Sequence, residues 1–293
     1  MTPSRSADSV PTLPYKHRFS TTELDEIRDC YYAHGFAIIE RVIPGPMVEK
    51  LKRSIHEVVL PGGKIEPGAT KFCTDFVERS PACAELLLCP PYMDISRCLF
   101  GDEMSLNRSA AIVKNVGAPV GAWHTDWCAP DSADAGRDAV LNRGVFASVW
   151  LYLSGTHPSR GGLAIIPDSH TKDWVGPPGF EFTRARKSFY RKGTEPVACQ
   201  EMDVPGVLPL FTEPGDVILF ADHTYHGVFP HNGDQLRYSC GLAFRPGRAP
   251  LPDAWPLSES AQRFIASCPP EVQRWVEFYP GLNTTDAPRK ERG

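Results

Sequence analysis

The apolar positions of the chain change their period at about one third of its length. Before residue 104 they recur at helical spacing. Ser20-Thr21-Thr22-Glu23 offers a helix start, Leu24, Ile27 and Tyr31 follow on one face, and Gly35 is a stop. Gly35-Phe36-Ala37-Ile38-Ile39 then predicts a short apolar strand. Pro46 suits the first turn of a second helix that carries Met47, Leu51, Ile55 and Val58 on one side. Residues 61–72, rich in Gly and Pro, read as irregular, and 81–100 as holding another short helix. From about residue 104 the texture becomes short apolar runs separated by turn residues, the mark of a sandwich or barrel. Strands are expected at 109–114, 121–126, 145–153, 162–167, 216–221, 225–229 and 237–244. The run Val145–Leu153 is apolar almost throughout, so it belongs at the centre of a sheet covered on both faces. Pro214-Gly215-Asp216 is a tight turn delivering the strand that starts at Val217. Two long stretches, 128–144 and 171–208, interrupt the pattern; loops of that length are usually lids or binding loops. After Pro246 the helical period returns over Ser258–Cys268 and Pro270–Phe278. The expected organisation is one domain over 1–293: a loosely held arm (1–18), a helical N-terminal flank (19–103), a β core with two insertions (104–246) and C-terminal helices (247–293).

Composition narrows the setting. Of the 293 residues 42% are hydrophobic and 23% charged, a globular profile. A formal net charge of −4 and a pI near 6.1 argue against nucleic acid or an anionic membrane as partner. No run approaches the length of a membrane span, and MTPSRSADSVPTLP lacks the apolar centre of a signal peptide, which points to the cytoplasm. The nine cysteines form no C-x-x-C pair and read as reduced, mostly buried thiols. A monomer or a homodimer fits such a chain.

The chemistry gathers at Trp123-His124-Thr125-Asp126-Trp127. On a strand the side-chain period is two, so His124 and Asp126 share a face. An imidazole and a carboxylate there are two members of a 2-His-1-carboxylate facial triad, the ligand set of non-haem Fe(II) oxygenases. His157, His170, His223, His226 and His231 are candidates for the third member. His157 and His170 lie in Pro-containing turns, which favours the histidines after the strand ending at Phe220. Arg237 opens the next strand eleven residues beyond His226. A hairpin of that span can return its guanidinium beside the metal, where the planar fork grips a carboxylate with two parallel hydrogen bonds.

From about residue 22 to 246 the chain resembles the phytanoyl-CoA dioxygenase (PhyH-like) family of Fe(II)/2-oxoglutarate oxygenases. The resemblance is carried by Trp-His-Thr-Asp, by Gly161-Gly162-Leu-Ala-Ile-Ile-Pro167-Asp-Ser-His170, by Pro214-Gly-Asp-Val, by His226-Gly227, and by Arg237 at the family's distance from that histidine. It implies a mainly β fold with flanking helices around a double-stranded β-helix (jelly-roll) core. It implies that His124, Asp126 and His226 hold Fe(II) and that Arg237 binds the far carboxylate of 2-oxoglutarate. Trp150 lies where the family often has a tryptophan touching that cosubstrate, core packing being its other reading, and Lys114 resembles the strand lysine upstream of H-x-D. Where the family often has Ser two residues past the distal histidine, this chain has Val228. The reaction implied consumes 2-oxoglutarate and O2, releases succinate and CO2, and hydroxylates an unactivated C–H bond of a small molecule; desaturation, epoxidation and rearrangement are variants, and a non-catalytic metal or small-molecule binding module on a cupin scaffold is the alternative from another class. Related halogenases carry a small residue in place of Asp126. The run Arg184-Ala-Arg186-Lys187-Ser-Phe-Tyr190-Arg191-Lys192 could meet an anionic substrate, although charge runs in long loops usually face water.

Overall fold

The computed structural model describes residues 12–127, 145–251 and 256–281; the insertion 128–144, with Cys128, and most of the N-terminal arm lie outside the described residues. The helical flank begins with α1 (Leu24–His34) and α2 (Gly45–Val59), followed by two single turns, α3 (Phe76–Arg79) and α4 (Pro81–Ala84), and by α5 (Pro90–Phe100). The start of α1 lies one residue past the expected box: the Glu23 carboxylate accepts the Ser20 amide at 2.8 Å and caps the turn from the acidic side. Its end is enforced. Gly35 adopts φ +78°, and a Cβ there would lie 2.5 Å from Thr224 Oγ1. Helix α2 buries Val48, Leu51, Ile55 and Val59; Met47 and Val58 pack at its margin. C-terminal helices α6 (Glu259–Ser267) and α7 (Pro270–Val276) fall where the period predicts.

The strands are β1 (Arg18–Phe19), β2 (Phe36–Ile39), β3 (Thr70–Cys73), β4 (Met104–Lys114), β5 (Gly121–His124), β6 (Ala147–Tyr152), β7 (Leu163–Ile165), β8 (Phe180–Phe182), β9 (Phe189–Arg191), β10 (Leu208–Pro209), β11 (Val217–Ala221), β12 (His226–Val228) and β13 (Arg237–Pro246). They form a seven-stranded sheet in the order β1-β2-β11-β6-β13-β4-β3, a four-stranded sheet β10-β7-β12-β5, and a hairpin β8-β9. The two larger sheets build the jelly roll. All eight expected strands, β2 among them, are present. Five are additional: β1 and β10 are too short to carry a period, β3 lies across the end of a stretch read as irregular, and β8 and β9 form a hairpin inside the second insertion.

The large sheet has two different faces. Ala111, Val113, Val149, Leu151, Cys240, Leu242 and Phe244 pack on the helices in the main core. The opposite face, set by the period of two, carries cross-strand rows: Ala110–Gly241–Trp150, Ile112–Ser239–Tyr152 and Lys114–Arg237. Gly241 is required in its row, because a Cβ there would sit 2.5 Å from both the Trp150 ring and the Val149 carbonyl oxygen. Part of the space between the sheets is filled by Phe36, Ile38, Tyr152, Leu163, Ile165, Ile218 and Phe220, with Trp150 half-buried at their edge. The eight cysteines among the described residues are free thiols, five of them buried. No helix among the described residues is long and apolar enough to cross a membrane.

Candidate metal centre

His124 and His226 face each other across the small sheet. They are direct partners in the β5–β12 register, and their ring centroids are 4.2 Å apart. Asp126 joins them by a route other than the expected strand, since β5 ends at His124. The amides of Asp126 and Trp127 both donate to the Asp222 carbonyl at 2.9 Å, and this clamp aims the carboxylate back at the histidines. His124 Nε2 and Asp126 Oδ1 are 3.9 Å apart. One ligand atom from each of the three residues lies within 4.8 Å of the others, so one ion could bind all three.

The surroundings prepare each group for a cation. Nδ1 of His124 meets the Ala122 carbonyl at 2.8 Å and Nδ1 of His226 the Thr224 carbonyl at 3.0 Å, so each ring donates there and turns an unprotonated Nε2 inward. Burial holds both imidazoles below their ordinary range, with His226 brought to about 4 by burial and by His124. Burial pushes the Asp126 carboxyl up, but the adjoining Arg108 guanidinium, the two histidines and Lys187 together outweigh it and hold the carboxyl well below the carboxylate range. Arg108 pairs with Oδ2 of Asp126 and lies over the Phe146 ring at 4.6 Å. Oδ1 is left on the side of the histidines. No sequence signal points to Arg108, a residue of β4 some eighteen positions upstream of Asp126; pairing of β4 with β13 and the facing of the two sheets bring it in.

Arg237 is 5% exposed, donates to the Gly161 carbonyl at 2.7 Å and lies over Tyr152 at 5.0 Å. Its Nε has no hydrogen-bond partner among the described residues, its Nη2 makes a long 3.4 Å contact to Ser239 Oγ, and the Tyr152 hydroxyl bonds to the same guanidinium. A buried guanidinium with unmet donors is a receptor for a planar anion. Lys114, its register partner, donates to the carbonyls of Pro119 at 2.7 Å and Phe229 at 3.1 Å. Burial, with Arg237 beside it, lowers the ammonium to about 8. Trp150 stands on the inward face, its ring packed directly against Gly241. The other histidines do not join the triad. His223 pairs with the buried Asp222 at 2.8 Å and stacks on Trp127 at 4.7 Å. His170 contacts the Tyr32 carbonyl at 3.0 Å through Nε2, and His231 the Gln235 carbonyl at 2.6 Å.

The second insertion is seated on the triad strand. The Thr125 amide donates to the Lys187 carbonyl at 2.9 Å, and Ser188 Oγ donates to the Trp123 carbonyl. Below them Trp123, Phe189 and Tyr225 form a buried aromatic cluster, joined at its edge by Trp174, Phe180 and Phe182.

A facial His/Asp/His set inside a jelly roll defines the class of non-haem iron oxygenases. The chain belongs to the phytanoyl-CoA dioxygenase (PhyH) family, whose model matches residues 31–239, and it is an enzyme of that kind. Solved structures share its fold. One is HygX from Streptomyces hygroscopicus with nickel and 2-oxoglutarate bound, at 20% identity over 75% of this chain and 86% of that one, TM-score 0.57. Another is SnoK, an α-ketoglutarate-dependent carbocyclase from nogalamycin biosynthesis, at 18% identity over 77% and 85%, TM-score 0.56. EvdO2 from Micromonospora carbonacea var. aurantiaca, complexed with 2-oxoglutarate, is 19% identical over 85% and 97%, TM-score 0.55. No curated protein matches the chain significantly by sequence.

Proposed function

We propose that the protein is an Fe(II)/2-oxoglutarate-dependent oxygenase that hydroxylates an unactivated C–H bond of a small molecule. The observation that carries this reading is the pairing of a three-residue metal set with a buried, under-partnered arginine on the facing wall. His124, Asp126 and His226 would hold the ion. Arg237 would take the far carboxylate of 2-oxoglutarate, with Ser239 and Tyr152 fixing the plane of its guanidinium. Trp150 would bound the cosubstrate along its length, and Lys114 would hold the two loops that flank Arg237. Bound there, iron with 2-oxoglutarate and O2 supplies the oxidising power, and the cosubstrate leaves as succinate and CO2. The chain's own part is orientation and exclusion of water. Arg108 occupies the outer oxygen of Asp126, which favours ligation through one oxygen and keeps the carboxylate charged. An aspartate in the triad, where halogenases have a small residue, supports oxygen transfer. SnoK, by its description a carbocyclase, supports rearrangement as a second outcome on the same fold.

The test needs no substrate. Anaerobic titration of the protein with Fe(II) and 2-oxoglutarate is expected to develop the weak visible charge-transfer band of the chelated cosubstrate. Asp126→Ala and His226→Ala should lose the metal and the band, whereas His223→Ala keeps both. Metal retained by His226→Ala and lost by His223→Ala would reverse the ligand assignment.

A further inference from the structure

The cationic run of the second insertion resolves into unequal members. Arg186 donates to the Trp174 carbonyl at 2.6 Å and lies over Phe182 at 3.9 Å. Arg191 pairs with Glu201, and Lys192 lies 3.7 Å from Glu181. Arg184 is exposed to solvent. Lys187 differs from all four. It is half-buried, its backbone is bonded to the triad strand, and its ammonium reaches back to the Trp127 carbonyl at 3.1 Å. An ammonium has three N–H groups, and that carbonyl uses one.

The turn that delivers Lys187 is strained. Ala185 and Arg186, neither of them glycine, have φ +57° and +53°. Such backbone persists only where its surroundings hold it, and it gathers at sites of function. Here the holders are the Arg186 contacts and the Tyr225 hydroxyl, which donates to the Arg186 carbonyl.

Charge completes the argument. The Lys187 backbone is bonded to Thr125, between His124 and Asp126, and its ammonium to Trp127, next to Asp126, so its charge lies beside the triad. Among the described residues four cations surround the site, Lys187 with Arg108, Lys114 and Arg237 on the facing wall, and the carboxylates that stand against them are Asp126 and Asp222. The two charges of 2-oxoglutarate balance these groups, which leaves the two charges of a ferrous ion uncompensated. A substrate bringing a negative group is favoured, and among the described residues of the insertion Lys187 is the half-buried cation beside the triad with donors to spare.

We propose that Lys187 is a specificity-determining residue that holds an oxyanion group, a carboxylate or a phosphate, of the molecule to be oxidised. The proposal rests on the oxygenase reading above. Its test is anaerobic calorimetric titration of the Fe(II)- and 2-oxoglutarate-loaded protein with sulfate as the oxyanion probe, at ionic strength held constant with chloride. Sulfate should bind the wild type, at least tenfold more weakly to Lys187→Met, and within about threefold of wild type to Lys187→Arg; the order-of-magnitude loss is that of one charge-assisted contact. Lys192→Met, which alters the same loop's charge away from the triad, should bind as wild type. All variants should bind 2-oxoglutarate with unchanged affinity and keep the wild-type circular dichroism. If Lys187→Met does not fold, Lys187→Gln replaces it. Sulfate that fails to bind the wild type, binds Lys187→Met equally, or is weakened as much by Lys192→Met overturns the assignment while metal and 2-oxoglutarate binding stand. A wild-type protein that takes up neither metal nor 2-oxoglutarate overturns the oxygenase reading and this assignment together.

Discussion

Arg237 and Lys114 sit side by side in one register row, yet the structure uses them differently. Lys114 spends its donors on two loop carbonyls; Arg237 keeps buried donors unmet. The cosubstrate role proposed above therefore suits the arginine better than the lysine, and shape matters as much as charge. Arg237→Lys turns a fork into a point charge and should weaken 2-oxoglutarate binding by roughly 1.5–3 kcal/mol, about ten- to a hundredfold, with metal occupancy unchanged. Isothermal titration with Ni(II) in place of Fe(II) measures both, and an unaltered 2-oxoglutarate affinity would remove the anchor. His124, His226 and Arg237 were legible because their spacing survives in one dimension. Arg108 was not. Nothing in Asn107-Arg108-Ser109 announces a contact with Asp126; only the closure of one sheet over the other creates it.

Among the elements, the hairpin β8-β9 changes most between sequence and structure. Its Gly, Pro and charged content reads as mobile cover. In the fold it supplies the Lys187 and Ser188 oxygens that meet Thr125 and Trp123 on either side of His124, and it buries Phe189 completely. Replacing 180–195 by a short Gly/Ser linker should thus lower metal affinity as well as substrate-stimulated turnover. Loss of Phe189 burial alone, at about 3 kcal/mol, should lower Tm on the order of 6–12 °C. Metal affinity equal to wild type in that variant would return the hairpin to the rank of a lid. The other strands were legible where apolar runs are long, as in Val145–Leu153. Hydrogen bonding to a distant partner, rather than any local period, makes β1, β3 and β10 strands, so a single sequence does not display them.

At the scale of the molecule, polar groups buried for the site draw on the stability of the fold. Lys114 has an ordinary value of 10.5 and about 8 in the folded protein. Between those values the unfolded chain binds a proton that the folded chain has released, so this residue makes stability rise with pH from about 8 to about 10.5, flat on either side. The difference between wild type and Lys114→Met, which cancels the buried cysteines and tyrosines common to both, should change by on the order of 3 kcal/mol over that window. Chemical denaturation at pH 7.5 and pH 10 measures it. A difference independent of pH would mean that the ammonium is not desolvated.

The border of the large sheet has a different consequence. Strand β2 is buried at all four of its positions, and on one side its only strand partner among the described residues is the two-residue β1, held by Arg18 against Glu40 at 2.8 Å and the Phe211 carbonyl at 2.6 Å. A chain shortened to begin at residue 20 would uncover a row of unpaired amides and carbonyls beside four apolar side chains. Such a margin recruits a strand from a neighbouring molecule. The shortened protein should associate as its concentration rises, visible in light scattering, while the 293-residue chain stays dispersed; equal scattering from both would show that β2 needs no guard.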